Sequence, residues 1–345
     1  NVELICLEWA DFAQLDRWLD DADRLQKSCG PLPEPLSGRF AAALFGALAY
    51  RRPHDPAIEE VAGRLLGVVE ATPDANARVL LGCNLVLYYN AIVGRHIELE
   101  QLMRAIEPPT GITLGPLAEA LLWALRCMHS WSLGRMHEAA AAAERGSRVA
   151  REHGLRMWDF LLAALEAYAA LNDGQLVAGQ AALDRMHRCL DPRRQIDVAH
   201  YHYLRCFACL LTGEVALALY HSERAEEIAG EFGGPHQWAL SAVSKAQALH
   251  RLGRSDEAWK LLREGRRIGR TMRSALLCFQ ADLCAAQWAL DAGDDERAAD
   301  TLRRALTIGA ANNYVNHHGF DPITVASLCA WALSRQIEVD YIRRL

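Results

Sequence analysis

Six glycines, Gly94, Gly134, Gly174, Gly213, Gly253 and Gly293, stand 40, 40, 39, 40 and 40 residues apart. A fixed period of this size marks a solenoid, in which one supersecondary unit is stacked many times. Each glycine closes an apolar stretch and is followed by a second helical pattern, as in Leu252-Gly253-Arg254-Ser255-Asp256-Glu257-Ala258. The unit is therefore helix, tight turn, helix. Glycine suits the turn because a chain leaving a helix commonly passes through left-handed backbone, which a Cβ disfavours. The expected fold class is all-α, an α-α superhelix of helical hairpins with a 40-residue period. A repeat array grows without a central core, so the length of 345 residues is read as one continuous solenoid over residues 1–345.

Two columns of mostly small residues appear once the units are aligned. Seven positions before the glycine come Leu87, Cys127, Ala167, Cys206, Ala246 and Ala286, and five after it come Leu99, Ala139, Gly179, Ala218, Ala258 and Ala298. Small side chains on both helices let the two axes approach closely. A further apolar stripe at helical spacing, such as Phe160, Ala164, Ala167 and Leu171, or Phe279, Leu283, Ala286 and Leu290, faces a neighbouring helix. Upstream the glycine is lost but the rhythm continues. Arg51-Arg52-Pro53-His54-Asp55-Pro56 falls where the interhelix turn is due, Thr72-Pro73-Asp74 separates that hairpin from the next, and a helix is expected over Asp11–Gln26. The longest irregular segments, Cys29–Ser37 and Glu107–Pro116, are rich in proline and glycine.

Hydrophobic residues make up 51% of the chain and charged residues 23%, enough apolar surface to stack helices and too little charge for disorder. A net charge of −6 argues against a sequence-independent grip on nucleic acid, which needs a basic face to displace counterions. The most apolar stretch, Val79–Val93, is broken by Gly82, Asn84 and Asn90 and is too short to cross a bilayer. The ten cysteines are scattered, without the spacing of a disulfide-framed module. A reducing, cytoplasmic setting is expected. The chain starts at Asn1 and its end, Tyr341-Ile342-Arg343-Arg344-Leu345, reads as an amphipathic helix cut in mid-course, so a fragment of a longer protein is expected.

The small columns and the interhelix glycine resemble the tetratricopeptide repeat, with Leu252–Ala258 the best-matching turn. The period of 40 exceeds the usual 34, which lengthens each helix. Long units of this kind resemble the sensor segment of maltose-activator-type regulators, the large ATP-binding bacterial transcription factors that are signal-transduction ATPases with a DNA-binding end. The tail from Ser327-Leu328-Cys329-Ala330-Trp331-Ala332-Leu333 to Leu345 is similar to the segment that ends the repeats before a winged-helix effector in one branch of that group. The resemblance implies adjoining nucleotide-binding and DNA-binding domains in the same chain, and a non-catalytic module that senses a small-molecule inducer or a protein or peptide partner.

Reactive constellations are sparse. His187, Cys189, His200, His202, Cys206 and Cys209 include a Cys-x-x-Cys, but Cys206 occupies the small packing column and the second half of a zinc site is missing. The pair His317-His318 has no carboxylate or cysteine at useful spacing. No phosphate-cradling glycine loop, nucleophile elbow or His-Glu-x-x-His occurs. No catalytic residue, metal ligand or cofactor is therefore expected. What a solenoid offers is the inner wall of its leading helices. Eight positions before the glycine, Arg126, Glu166, Arg205 and Lys245 break the apolar pattern, and adjacent columns add Tyr168, His202, Gln247 and Gln287, with Trp123, Trp131 and Trp288 nearby. Aromatic faces mixed with planar hydrogen-bonding groups hold sugars and amphipathic peptides. The same residues also serve as the solvated edge of amphipathic helices. Two functions fit: an inducer-binding sensor, and a constitutive tetratricopeptide-type scaffold between proteins.

Overall fold

A computed structural model describes residues 11–29, 32, 33, 36–319 and 321–345, together with Val2 and Ile5. Gly30, Pro31, Glu34 and Pro35 of the first proline-glycine segment, and Cys6, lie outside the described residues. The described residues form helices and connecting turns with no strand. After a 3-10 turn at Phe12–Gln14, the order is α1 (Leu15–Cys29), α2 (Leu36–Arg51), α3 (Ala57–Ala71), α4 (Ala75–Leu87), α5 (His96–Ile106), α6 (Pro116–Ser132), α7 (Met136–Glu152), α8 (Asp159–Asn172) and α9 (Leu176–Arg188). There follow α10 (Gln195–Thr212), α11 (Val215–Phe232), α12 (Pro235–Arg251), α13 (Ser255–Thr271), α14 (Ala275–Asp291), α15 (Asp295–Asn312), α16 (Pro322–Ser334) and α17 (Val339–Ile342).

Each even-numbered helix from α4 to α14 runs into one of the six glycines, all with φ between 72° and 79°, and the next helix folds back against it. Consecutive hairpins then pack side by side, α8 against α7 and α12 against α11. The fold is a tetratricopeptide-like α-solenoid. The small columns lie at the hairpin contacts: Cys127, Ala167, Cys206, Ala246 and Ala286 on the leading helices, and Leu99, Ala139, Ala218, Ala258 and Ala298 on the trailing ones, are at most 1% exposed. At Gly179 a Cβ would come within 2.6 Å of Leu171, so no larger residue fits there without repacking.

A second left-handed column marks where trailing helices end. Gly154 and Gly233 occupy it, but Arg273 (φ 56°) and Asn313 (φ 54°) occupy it too. Asparagine tolerates this backbone through local hydrogen bonding; arginine carries its cost. Arg273 is exposed, so Arg273→Gly is expected to raise stability by about 1 kcal/mol, read as a shift in the urea midpoint. A lower midpoint would show that the arginine side chain contributes more than its backbone costs.

The superhelix returns on itself after four to five hairpins. Arg51 on α2 donates from Nη1 to the Gly233 carbonyl at 2.9 Å, and the Phe12 and Phe232 rings meet edge to face at 5.8 Å. Further along, the Ala275 amide donates to the Val93 carbonyl at 3.0 Å. In the α15–α16 connection, residues 313–319 do not run over the outside. Tyr314, fully buried, donates its hydroxyl to the Gly94 carbonyl at 2.6 Å, and Asn316 donates to the Trp131 carbonyl at 3.1 Å. This strap threads the interior of the superhelix and ties its last hairpins to the α4–α5 and α6–α7 hairpins.

Candidate functional site

The inner wall is built from the leading helices at thirteen, ten, six and three positions before each glycine. These offsets follow the i, i+3, i+7 spacing of one helix face. They bring Leu161, Ala164 and Tyr168 from α8, His200 and Tyr203 from α10, Leu240, Val243, Gln247 and His250 from α12, and Gln280, Leu283 and Gln287 from α14 to the interior. The strap crosses this space. His318 packs its ring against Trp131 at 5.0 Å, Tyr168 at 5.3 Å and Tyr203 at 6.3 Å, while its carbonyl accepts from Gln280 at 2.9 Å. It lines both of the two cavities it separates.

The first cavity, of about 150 Å³, is mostly apolar and is walled by Phe12, Tyr50, Met128, Trp131, Phe160 and Phe232 among others. A π-helical turn at Tyr88–Ile92 ends α4 and carries Asn90 to its edge; such turns insert one extra residue and re-aim side chains. Polar groups on this wall are Asn90, Tyr168, Asp197, His200, His236, Gln237 and His318. Burial dominates their chemistry: it pushes the imidazoles of His200 and His236 down to about 4 and His318 well down, and the Asp197 carboxyl up to about 6 despite Arg194 at 2.6 Å. At neutral pH the histidines are uncharged. The second cavity, of about 210 Å³, is more polar. There His250 stacks on Trp288 at 4.4 Å, Gln287 donates to Asp291 at 2.7 Å, and Arg251 faces Asp321 at 3.7 Å.

The residues expected on the inner face divide into two groups. Tyr168 lines the first cavity and Gln247 and Gln287 line the second, with Trp131 and Trp288. The column of Arg126, Glu166, Arg205 and Lys245 lines neither. Its members reach along the stack to adjacent trailing helices or turns: Arg126 to Glu107, Glu166 to Ser147 and Arg185, Arg205 to Gln180, and Lys245 to Glu226 at 2.6 Å. His202 pairs with His221, Nδ1 to Nδ1 at 2.8 Å, on the next helix. The contacts of Arg126, Arg205 and Lys245 and that of Glu166 with Ser147 join successive hairpins, whereas Glu166–Arg185 and His202–His221 each tie the two helices of one hairpin. Trp123 lies outside as well, under Arg126 at 4.4 Å. The residues missed were His200, Gln280, the π turn and the strap; His200 and Gln280 share an offset with Leu161 and Leu240 that an apolar reading passes over.

The zinc candidates disperse. Cys206 and Cys209 pack with Leu210, Ala218 and Ala248, and burial pushes the Cys206 thiol up, away from the thiolate a metal needs. No three His, Cys, Asp or Glu side chains among the described residues converge on a metal-sized site. Nor is any helix among them long and apolar enough to cross a membrane.

No protein-family model matches the chain, and no curated protein matches its sequence. Solved structures do. A Rap protein complexed with competence and sporulation factor superposes with a TM-score of 0.57 at 13% identity, covering 89% of each chain. Likeness at that identity is likeness of fold. A signal-transduction ATPase with numerous domains and a tetratricopeptide repeat sensor, from Pyrococcus horikoshii, aligns at 12% identity and a TM-score of 0.46. That match covers 96% of this chain and 51% of the other, so the chain spans about half the length of that protein.

The enclosed histidines make stability depend on pH. His96, His200, His202, His221, His236 and His317 are each held down to about 4 by burial, whereas in the unfolded chain they bind protons near 6.5. Between those values the unfolded state holds more protons, so stability falls as pH drops from about 6.5 towards 4. Asp197, raised to about 6, works in the opposite direction but is one group against six. The melting temperature is expected to fall steadily from pH 7 to pH 4.5; a flat profile by calorimetry would contradict this histidine environment.

Proposed function

We propose that this chain is a non-catalytic sensor or interaction module of a cytoplasmic bacterial signal-transduction ATPase that regulates transcription. Its inner cavities take an inducer or a peptide partner, and adjoining nucleotide-binding and DNA-binding domains of the same chain read the result. The observation that carries this reading is the strap. His318 faces both cavities, and the segment it belongs to leads directly into α16 and the last hairpin. Occupancy of either cavity would therefore change contacts on the segment that precedes α16 and α17. The same fold in a Rap protein complexed with competence and sporulation factor supports a ligand-holding role for this architecture.

Coupling requires the ligand to favour one arrangement of the strap over another, since equal affinity for both shifts nothing. The test is hydrogen exchange of residues 313–321 with and without candidate effectors, paired with nucleotide exchange in the full-length protein. An effector that changes both is the expected result. A strap that exchanges identically whatever is added, alongside stable protein partners in pull-downs, would replace the sensor with a standing scaffold.

A further inference from the structure

Four polar side chains on the wall of the first cavity are more than nine-tenths buried and keep an atom without a hydrogen-bond partner among the described residues. They are Asn90 (Oδ1), Tyr168 (hydroxyl), Asp197 (Oδ1) and Gln237 (Nε2). Leaving such atoms unmet costs free energy; unpartnered buried atoms also occur elsewhere among the described residues, as at His96, Ser241 and Gln280, but these four fall on one wall. Gathered around one cavity, they read as the recognition groups of a ligand site.

The charge on that wall selects the ligand. No arginine or lysine lines the cavity among the described residues; Asp197 is the one carboxylate, and its neighbours are aromatic. Asp197 and His200 sit one turn apart on the same face of α10. The His200 ring lies 5.5 Å from Tyr168, which lies 5.5 Å from Trp131. A carboxylate oxygen next to a run of ring faces attracts a cation by direct charge and by the ring quadrupoles. It repels a carboxylate or a phosphate. The cavity volume of about 150 Å³ is that of a site holding one aromatic ring.

Resting on the reading of the cavity as a receptor, we propose that it binds a small organic amine with an apolar, ring-sized body, its ammonium held by Asp197 and its body among Trp131, Tyr168 and Phe160. Arg194 engages Oδ2 of Asp197 at 2.6 Å, which fixes the carboxylate and leaves Oδ1 for the ligand. The hydroxyl of Tyr168 and the amides of Asn90 and Gln237 complete the polar end.

Isothermal titration calorimetry with three matched probes tests this: phenethylamine, 2-phenylethanol and 3-phenylpropionate. The amine is expected to bind about tenfold or more tightly than the alcohol, with no binding of the anion. Asp197→Asn, close in shape, is expected to bring amine and alcohol to the same affinity. Because the three probes are compared on the unaltered chain, the result stands even where the variant folds poorly. Alcohol binding as tight as the amine, or tighter, overturns the amine proposal while leaving the cavity a receptor. No heat from any of the three overturns both.

Discussion

Replacing Gly94 with alanine is expected to cost about 2–5 kcal/mol, the sum of left-handed strain and overpacking. The same change at Gly253 is expected to cost only about 1–2 kcal/mol, from strain alone. The two residues have nearly the same backbone, with φ of 73° and 76°. Their surroundings differ. At Gly253 an added Cβ meets nothing within 4 Å, whereas at Gly94 it would collide with the Tyr314 hydroxyl and come within 2.5 Å of the Leu276 Cβ. Tyr314 is fully buried and bonded to the Gly94 carbonyl, so it has no room to yield. Urea unfolding followed by circular dichroism measures both variants, and equal losses would mean that the strap does not seat against the Gly94 turn. Gly94→Ala should also speed hydrogen exchange across 313–321, a signature that Gly253→Ala should lack.

Arg266→Ala is expected to be the other severe change, at about 3–5 kcal/mol. Asp282 on α14 is 1% exposed, and Arg266 on α13 grips it through both oxygens at 2.7 and 2.8 Å. Arg304 on α15 approaches it at 3.6 Å but is half exposed. Without Arg266 the carboxylate stays buried among three helices with one distant, solvated counter-charge. Desolvation then outweighs attraction. Replacing both partners, Arg266→Met with Asp282→Leu, is expected to restore most of the loss, because a buried ion pair contributes little net stability over a packed apolar pair. By contrast the exposed pair Arg303–Asp300 at 3.1 Å is expected to change stability by less than about 1 kcal/mol when removed. A single Arg266 variant as mild as the Arg303 one would show that Asp282 is hydrated in solution.

The hairpin was legible because everything that makes it is local. A helix face repeats every three or four residues, a left-handed exit selects glycine, and close axes select small residues, so Gly134, Cys127 and Ala139 announce a hairpin from within a dozen positions of one another. The second left-handed column was hidden by Arg273, whose side chain carries no such signal, and was hinted at by Asn313 alone among its non-glycine members. For the candidate site, polarity alone did not separate two faces of one helix. Glu166 and Tyr168 are two positions apart, yet Glu166 reaches along the stack to Ser147 while Tyr168 turns to the interior. Which polar column points inward depends on the direction of superhelical curvature, a small rotation at each hairpin contact that accumulates along the array.

The strap lies furthest from what residue order can reveal. Tyr314 and Asn316 meet Gly94 and Trp131, partners 220 and 185 positions away. Periodicity, capping and small-residue columns thus specify the repeat and its all-α class, since those rest on interactions within a few turns of helix. The closing of the coil, the division of its interior by residues 313–319, and the gathering of Asn90, Tyr168, Asp197 and Gln237 around one cavity arise from the summed geometry of many hairpins, which no short stretch of chain contains.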